Sequence, residues 1–315
     1  MFRQSGGKKM SIQTCISHII TFKQVLLQNY NTSNCTTNRT QYYMDLLTSD
    51  AILEVAPDLS SCERRNKSYL NSYFHACLIA LFFEKEGETL QNWQSYSKEI
   101  APVLKKHPYY GPYLSKFTES DVFEYYILHT VNHMFQLNNT IALTANSDSS
   151  PTKFYDDYLN EPLPEKVTKK ILENVQITMK IRGQEEKKIW GDNDILIVTY
   201  PNSIDEAEAI CIISCKTSLR ERVYQSIFWA THSRIEGIAK HTFATLDKGD
   251  SSGNSEIGNR DPENNARKTR DVLESTMDRV YVFREANEVE RSYVIKDFNY
   301  LQTDLNRWRE DYFGI

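Results

Sequence analysis

An aspartate and a lysine bound the stretch of this chain with the clearest chemical content. Asp194 opens the apolar run Ile195-Leu-Ile-Val-Thr-Tyr200, and Lys216 closes a second one, Ala209-Ile-Cys-Ile-Ile-Ser-Cys215. Short apolar runs bounded by turn residues read as buried strands, and pairing between them can bring the carboxylate beside the ammonium. Alternate side chains of a strand share a face, so Ser214 points with Lys216 while Cys215 points away. A carboxylate can hold a divalent ion on a scissile phosphate, and an ammonium can stabilise charge or orient the attacking water. Together they are the equipment of a metal-dependent phosphodiesterase.

Arg220-Glu221-Arg222 follow four residues after the lysine. A helix is expected to begin there, with Thr217 or Ser218 as its N-cap. Two arginines in a first turn oppose the positive end of the helix dipole, which calls for a negatively charged partner. An arginine can bind guanine O6 and N7 bidentately, and a glutamate between two arginines can accept from cytosine N4.

The elements that must position these groups are legible from periodicity. Residues 11 to about 150 read as mostly helical, with helices expected over Met10–Ile20, Tyr69–Phe83 and Asp121–Leu137, and a connecting loop over Ala145–Pro151. A short helix starts near Pro162 or Pro164. Val175, Ile177, Met179 and Ile181 alternate with polar residues as a strand does. Strands follow at 194–200 and 209–216, then a long helix from Leu219 to about Ala244. The Gly/Ser/Asn/Asp-rich stretch 248–268 reads as a flexible insert. Arg279–Phe283 and Tyr293–Phe298 complete the strands, and a closing helix carries Leu301, Leu305 and Trp308. This order predicts an α/β domain over 151–315 behind a mostly helical region over 1–150, suited to dimerisation or DNA contact.

Composition narrows the function classes. With 40% hydrophobic and 25% charged residues the chain is that of a soluble globular protein, and no apolar run approaches the length of a membrane span. Its first residues lack the apolar core of a signal peptide. Cys15, Cys35, Cys62, Cys77, Cys211 and Cys215 show neither CxxC nor zinc spacing. Free thiols are expected over disulfides, and with them a cytoplasmic location. The net charge of −5 gives no global signal for nucleic acid. A local basic run at Lys166, Lys169, Lys170, Lys180, Arg182, Lys187 and Lys188 is a candidate for phosphate contact, though on charge pattern alone a solvated helix face or loop is the favoured reading. His129 and His133 have the spacing of a zinc helix but lack the glutamate of H-E-x-x-H.

Asp194, Ser214-Cys215-Lys216 and Arg220-Glu221-Arg222 together resemble the PD-(D/E)XK type II restriction endonucleases that read CCGG, CCNGG or CCWGG cores, the BsaWI/AgeI-like group. The match covers roughly residues 160–245; the order and spacing of the parts carry it more than any single residue. The resemblance implies a mixed sheet flanked by helices. It also implies Mg²⁺-dependent hydrolysis of double-stranded DNA by a homodimer or higher oligomer at a palindromic site with a CCGG-type core, paired in function with a DNA methyltransferase. Asp194 would then ligate the metal, Lys216 would assist the water or the transition state, and Arg220, Glu221 and Arg222 would read bases.

The chain departs from that pattern at one point. Relatives with serine before the lysine draw a second acid from the following helix, thirteen or fourteen residues after it; Trp229 and Ala230 stand there. The second acid is therefore sought on the helix before the first strand, at Glu165 or Glu173. Glu165 projects with the apolar face seeded by Val167, Ile171 and Leu172, and Glu173 projects away from it. Two other functions fit the same scaffold: a PD-(D/E)XK nuclease that follows DNA structure or modification, and a non-catalytic sequence-specific DNA-binding protein.

Overall fold

The computed structural model describes the chain apart from residues 1–8, 31–37, 63–66, 115–117, 148, 157–161, 181, 192, 220–221, 237–238, 261–267 and 315, and apart from the side chains of 67–68, 222 and 233–236. The helices in chain order are α1 (Ile12–Asn29), α2 (Arg39–Thr48), α3 (Asp50–Glu54), α4 (Lys67–Glu86), α5 (Leu90–Ser95), α6 (Ala101–Leu104), α7 (Gly111–Leu114), α8 (Glu119–His129), α9 (Glu165–Val175), α10 (Arg222–Glu236), α11 (Lys268–Thr276) and α12 (Tyr300–Phe313). The strands are β1 (Thr140–Ala145), β2 (Phe154–Tyr155), β3 (Ile177–Lys180), β4 (Glu186–Ile189), β5 (Ile195–Thr199), β6 (Glu208–Lys216), β7 (Lys240–Thr245), β8 (Arg279–Val282) and β9 (Ile295–Asp297). Among the described residues no helix is long and apolar enough to cross a membrane.

The chain forms two compact units. The first comprises Met1–Gly87 and Asn92–Tyr126; the second comprises Glu88–Gln91, Ile127–Asp156 and Glu161–Ile315. In the helical unit, α1 is capped by Ser11, whose side chain accepts from Thr14 N, and buries Cys15, Ile16, Ile19, Phe22 and Leu26. Its core is aromatic: Tyr43 stacks on Phe82 at 3.6 Å, and Trp93 meets Phe123 edge-on at 5.5 Å. Cys15 and Cys62 form a disulfide, which corrects the expectation of free thiols for this pair, while Cys211 and Cys215, on which it rested, are not disulfide-bonded. The pairing joins α1 to a residue 47 positions away, a relation that no local spacing records. Among the described residues Cys77, Cys211 and Cys215 are buried and in no disulfide.

The second unit is built on a seven-stranded mixed sheet in the order β2-β1-β5-β6-β7-β8-β9. β1, β5 and β6 run antiparallel, and β6 to β9 run parallel. The parallel half is threaded by α10 between β6 and β7 and by α11 between β7 and β8, the crossovers a parallel pair requires. Alternation along the strands divides the two faces. Phe243, Val280 and Val282 pack with Val223 and Ala230 of α10 and Leu273 of α11. Between them Tyr281 turns to the other face, where its hydroxyl donates to Asp304 of α12 at 2.9 Å.

Several expected boundaries move. The sheet unit takes in Ile127–Asp156, ahead of the division expected at 150, because β1 pairs with β5 over Thr140↔Thr199 to Leu143↔Leu196. The strand expected from Val175 is β3, which pairs with exposed β4 in a separate two-stranded sheet. The long helix expected from Leu219 to Ala244 begins at Arg222 and ends at Glu236, and Lys240–Thr245 is a central parallel strand. Residues 220–221, between the expected caps Thr217 and Ser218 and the described helix, lie outside the described residues; Val223 N donates to Leu219 O at 3.2 Å. The described part of the flexible insert, residues 248–260, is an ordered loop with buried Ser255 and Ile257; residues 261–267 of that insert lie outside the described residues.

Candidate active site

The carboxyl edge of the parallel strands is where side chains converge, as open α/β sheets favour. β6 ends at Lys216, β7 at Thr245 and β8 at Val282, and these residues are neighbours in register. β5 runs the opposite way, so its beginning lies at the same edge, with Ile195 opposite Ile213. Continuing that antiparallel register sets Asp194 opposite Ser214, on the face shared by Ser214 and Lys216.

The expected pair is brought together. Lys216 Nζ donates to Asp194 Oδ2 at 2.8 Å, and the Cys215 N–H donates to the same oxygen at 2.6 Å. The Lys216 side chain is only 9% exposed and that of Asp194 21%, so the ammonium is nearly buried against its partner. A buried ammonium is retained only where a carboxylate or an incoming anion compensates it. Ser214, fully buried, shares its strand face with Lys216, and its Oγ lies 3.4 Å from His241 Nε2. Burial pushes the Cys211 thiol far up its scale, so this cysteine is no nucleophile.

The two candidates for a second acid separate. Leu163 N donates to Phe154 O, Phe154 pairs with Ala145, and Leu143 pairs with Leu196. The start of α9 thus lies at the Asp194 end of the sheet, and Glu165, its first residue, is exposed there. The other end of α9 reaches the beginning of β6, where Asn174 Nδ2 donates to Glu208 Oε2 at 2.8 Å. Glu173 lines a groove of about 540 Å³ with Gln176, Lys188, Ile210 and Trp308. From Ile210 to Lys216 the strand spans roughly 20 Å. Glu173 therefore lies at the opposite end of the sheet from Asp194, and the structure does not bring the two together. Among the described residues no group of three or more His, Cys, Asp or Glu side chains could hold a metal by themselves.

Sequence reasoning missed how position 229 is used. Trp229, where an acid was sought, lays its indole on Gly191: a Cβ built on that glycine would lie 3.0 Å from the ring. The Trp229 Nε1 is buried and has no hydrogen-bond partner among the described residues. The glycine three residues before Asp194 was the available signal, since glycine marks close approach. Arg220 and Glu221 lie outside the described residues, as does the side chain of Arg222; α10 begins at Arg222. Of the basic run, Lys166 and Lys169 are exposed on α9, Lys170 pairs with Glu208, and Lys187 and Lys188 are exposed on β4.

Known proteins resemble this chain in part or along most of its length. The family described as BsaWI restriction endonuclease type 2 matches residues 169–304, a region that includes Asp194, Lys216 and positions 220–222. A protein of Methanocaldococcus jannaschii that carries the name of a type II restriction enzyme, MjaVIP, is 27% identical over 117 residues. That match takes in 36% of this chain and 48% of the relative, so the chain spans about half the length of the curated relative it matches. Among solved structures, the AgeI–DNA complex superposes over 94% of this chain and 91% of its own at 13% identity, with a TM-score of 0.40. The pre-specific BsaWI–DNA complex covers 96% of this chain and 94% of its own at 15% identity and a TM-score of 0.35. Scores of this size fall short of a shared fold, and the mixed α/β architecture stands on the strand pairing itself.

Proposed function

We propose that this chain is a type II restriction endonuclease that hydrolyses double-stranded DNA at a palindromic site with a CCGG-type core. The observation that carries the reading is the 2.8 Å contact between Lys216 and Asp194 at the sheet edge, four residues before Arg220. The family match over 169–304 supports the same reading.

The donor set at this edge is hard carboxylate oxygen, which suits Mg²⁺ and not a soft metal. Asp194 would hold the ion with Glu165, the substrate phosphate and water completing the shell. When bound, Mg²⁺ would supply Lewis-acid polarisation of the scissile phosphate and a more acidic water. The chain's own groups do the rest. Lys216 brings a fixed positive charge from a nearly buried position, where it stabilises the charge that develops on phosphorus oxygens. The Cys215 N–H and the Lys216 ammonium together fix the orientation of the Asp194 carboxylate. Arg220, Glu221 and Arg222 read the C:G pairs from the major groove, Arg to guanine and Glu to cytosine N4. Two copies related by a two-fold axis would mirror the symmetry of the site. A partner methyltransferase would protect the host's own copies of that site, and the cytoplasm is the compartment where both would meet DNA.

The test is incubation of the purified protein with unmethylated plasmid and phage DNA, with Mg²⁺ or with EDTA, and sequencing of all ends. Discrete Mg²⁺-dependent ends sharing a palindrome with CC/GG support the reading. Ends that follow branched or modified DNA favour a structure-directed nuclease. Intact DNA with site-specific binding would replace catalysis by DNA binding alone, the alternative that Trp229 at the acid's usual place keeps in play.

A further inference from the structure

The carboxylate of Glu256 accepts a hydrogen bond from the backbone N–H of Leu219 at 2.8 Å. Leu219 immediately precedes Arg220 and is 1% exposed, so its N–H has no access to water as a substitute partner. A carboxylate one residue from a DNA-reading segment is adverse in charge, because DNA is a polyanion. Its presence there is explained by what its oxygen holds.

The loop that carries Glu256 is built to present it. Asp247, fully buried, accepts from Glu256 N at 2.8 Å and from Ser255 Oγ. Ser255 Oγ in turn accepts from Ile257 N at 3.1 Å and Gly258 N at 2.8 Å. The buried Arg284 guanidinium donates to Asp247 O and, at 2.8 Å, to Gly253 O. Gly249 adopts φ +91°, and a Cβ there would lie 2.6 Å from Arg284 and from the Asn254 carbonyl, so only glycine fits this turn. Lys248 N reaches Thr217 O at 3.4 Å, and Leu219 and Ile257 share one apolar cluster. The tripeptide between the strand end at Lys216 and the segment at Arg220 is thus gripped at both ends by one ordered loop.

We propose that Glu256 is a positioning residue for base recognition: its hydrogen bond fixes the backbone at Leu219, so that Arg220–Arg222 meet the base edges in a single register. The proposal rests on the base-reading assignment of those residues. Bidentate contacts tolerate little displacement, so the register of the backbone decides discrimination while the Asp194–Lys216 pair is left intact.

Two variants separate reach from charge. Glu256→Gln keeps an oxygen at the same distance and removes the charge; Glu256→Asp keeps the charge and withdraws the oxygen by one methylene. The readout is cleavage of unmethylated phage DNA in Mg²⁺, taken as the ratio of ends at the preferred site to ends at sites differing by one base pair. Should the wild type cut nothing, the same ratio is taken from fragments retained in EDTA. Glu256→Gln is expected within about 3-fold of wild type, while Glu256→Asp loses about 10-fold or more of the discrimination. Arg220→Ala is run beside them. Unchanged discrimination in Glu256→Asp, with Arg220→Ala impaired, overturns the positioning role and leaves the base-reading assignment standing. Equal impairment of Glu256→Gln and Glu256→Asp overturns it as well, since charge and not reach would then matter. Unchanged discrimination in Arg220→Ala removes the base-reading assignment itself, and the proposal with it.

Discussion

The indole of Trp229 lies on the α-carbon of Gly191, three residues before Asp194, so closely that a methyl group on the glycine would sit 3.0 Å from the ring. This contact ties α10 to the loop that delivers Asp194, the carboxylate proposed to hold the metal. Position 229, where a second acid was sought, is used for packing.

Gly191→Ala is expected to push the indole and the Asp194 loop apart by a few tenths of an ångström. Overpacking of this kind costs about 1–3 kcal/mol. Urea denaturation should show that loss, and cleavage should fall more than DNA binding does. A variant as stable and active as wild type would mean that the ring yields freely.

Asp304 is the buried anchor of α12. Its Oδ2 accepts from Arg279 Nε and from the Tyr281 hydroxyl, each at 2.9 Å, and its Oδ1 from Arg307 at 2.8 Å. Both Asp304 and Arg279 are under 5% exposed. Asp304→Ala strands the Arg279 charge, and about 3–5 kcal/mol of stability should be lost in urea titration. A loss below about 1 kcal/mol would show that Arg279 finds another partner or water.

His75 makes the helical unit sensitive to acid. Its ring is buried, with Nδ1 at 2.7 Å from the Tyr96 hydroxyl, and burial lowers its pKa to about 3, helped by the charge of Lys105. The unfolded chain binds the proton near pH 6.5 and the folded chain only near 3. The stability held by neutral His75 is therefore complete above about pH 6.5 and is lost as pH falls toward 3, by up to about 1.4 kcal/mol per pH unit. Melting between pH 7.5 and 4.5 should fall steeply, and His75→Gln should flatten that dependence; equal slopes in both proteins would remove His75 as the cause.

The pairing of Asp194 with Lys216 was legible because β5 and β6 are short, continuous apolar runs whose ends carry charge, so the two residues stand out from a hydrophobic background. The α9 helix showed its face through Val167 and Ile171, both buried, while Val175, read as the start of a strand, closes the helix. β1 was hidden because Thr140–Ala145 becomes a strand through its partner β5, more than fifty residues away. β7 was absorbed into the preceding helix, although Gly237 offered a stop signal. The loop at 248–260 looked flexible by composition. Its order comes from Asp247, Ser255 and Arg284, buried polar groups that satisfy one another across long sequence distances. Which glutamate of α9 could serve the site depended on the direction of the helix along the sheet, which periodicity alone does not contain.

The most direct measurement is a comparison of wild type with Lys216→Ala on one DNA carrying the preferred site, scoring cleavage in Mg²⁺ and site-specific binding in Ca²⁺. The account predicts that the variant binds within a few-fold of wild type and cleaves about 10²–10³-fold more slowly. Cleavage by Lys216→Ala at the wild-type rate, with binding equally intact, would contradict the assignment of the Lys216–Asp194 pair as the catalytic centre.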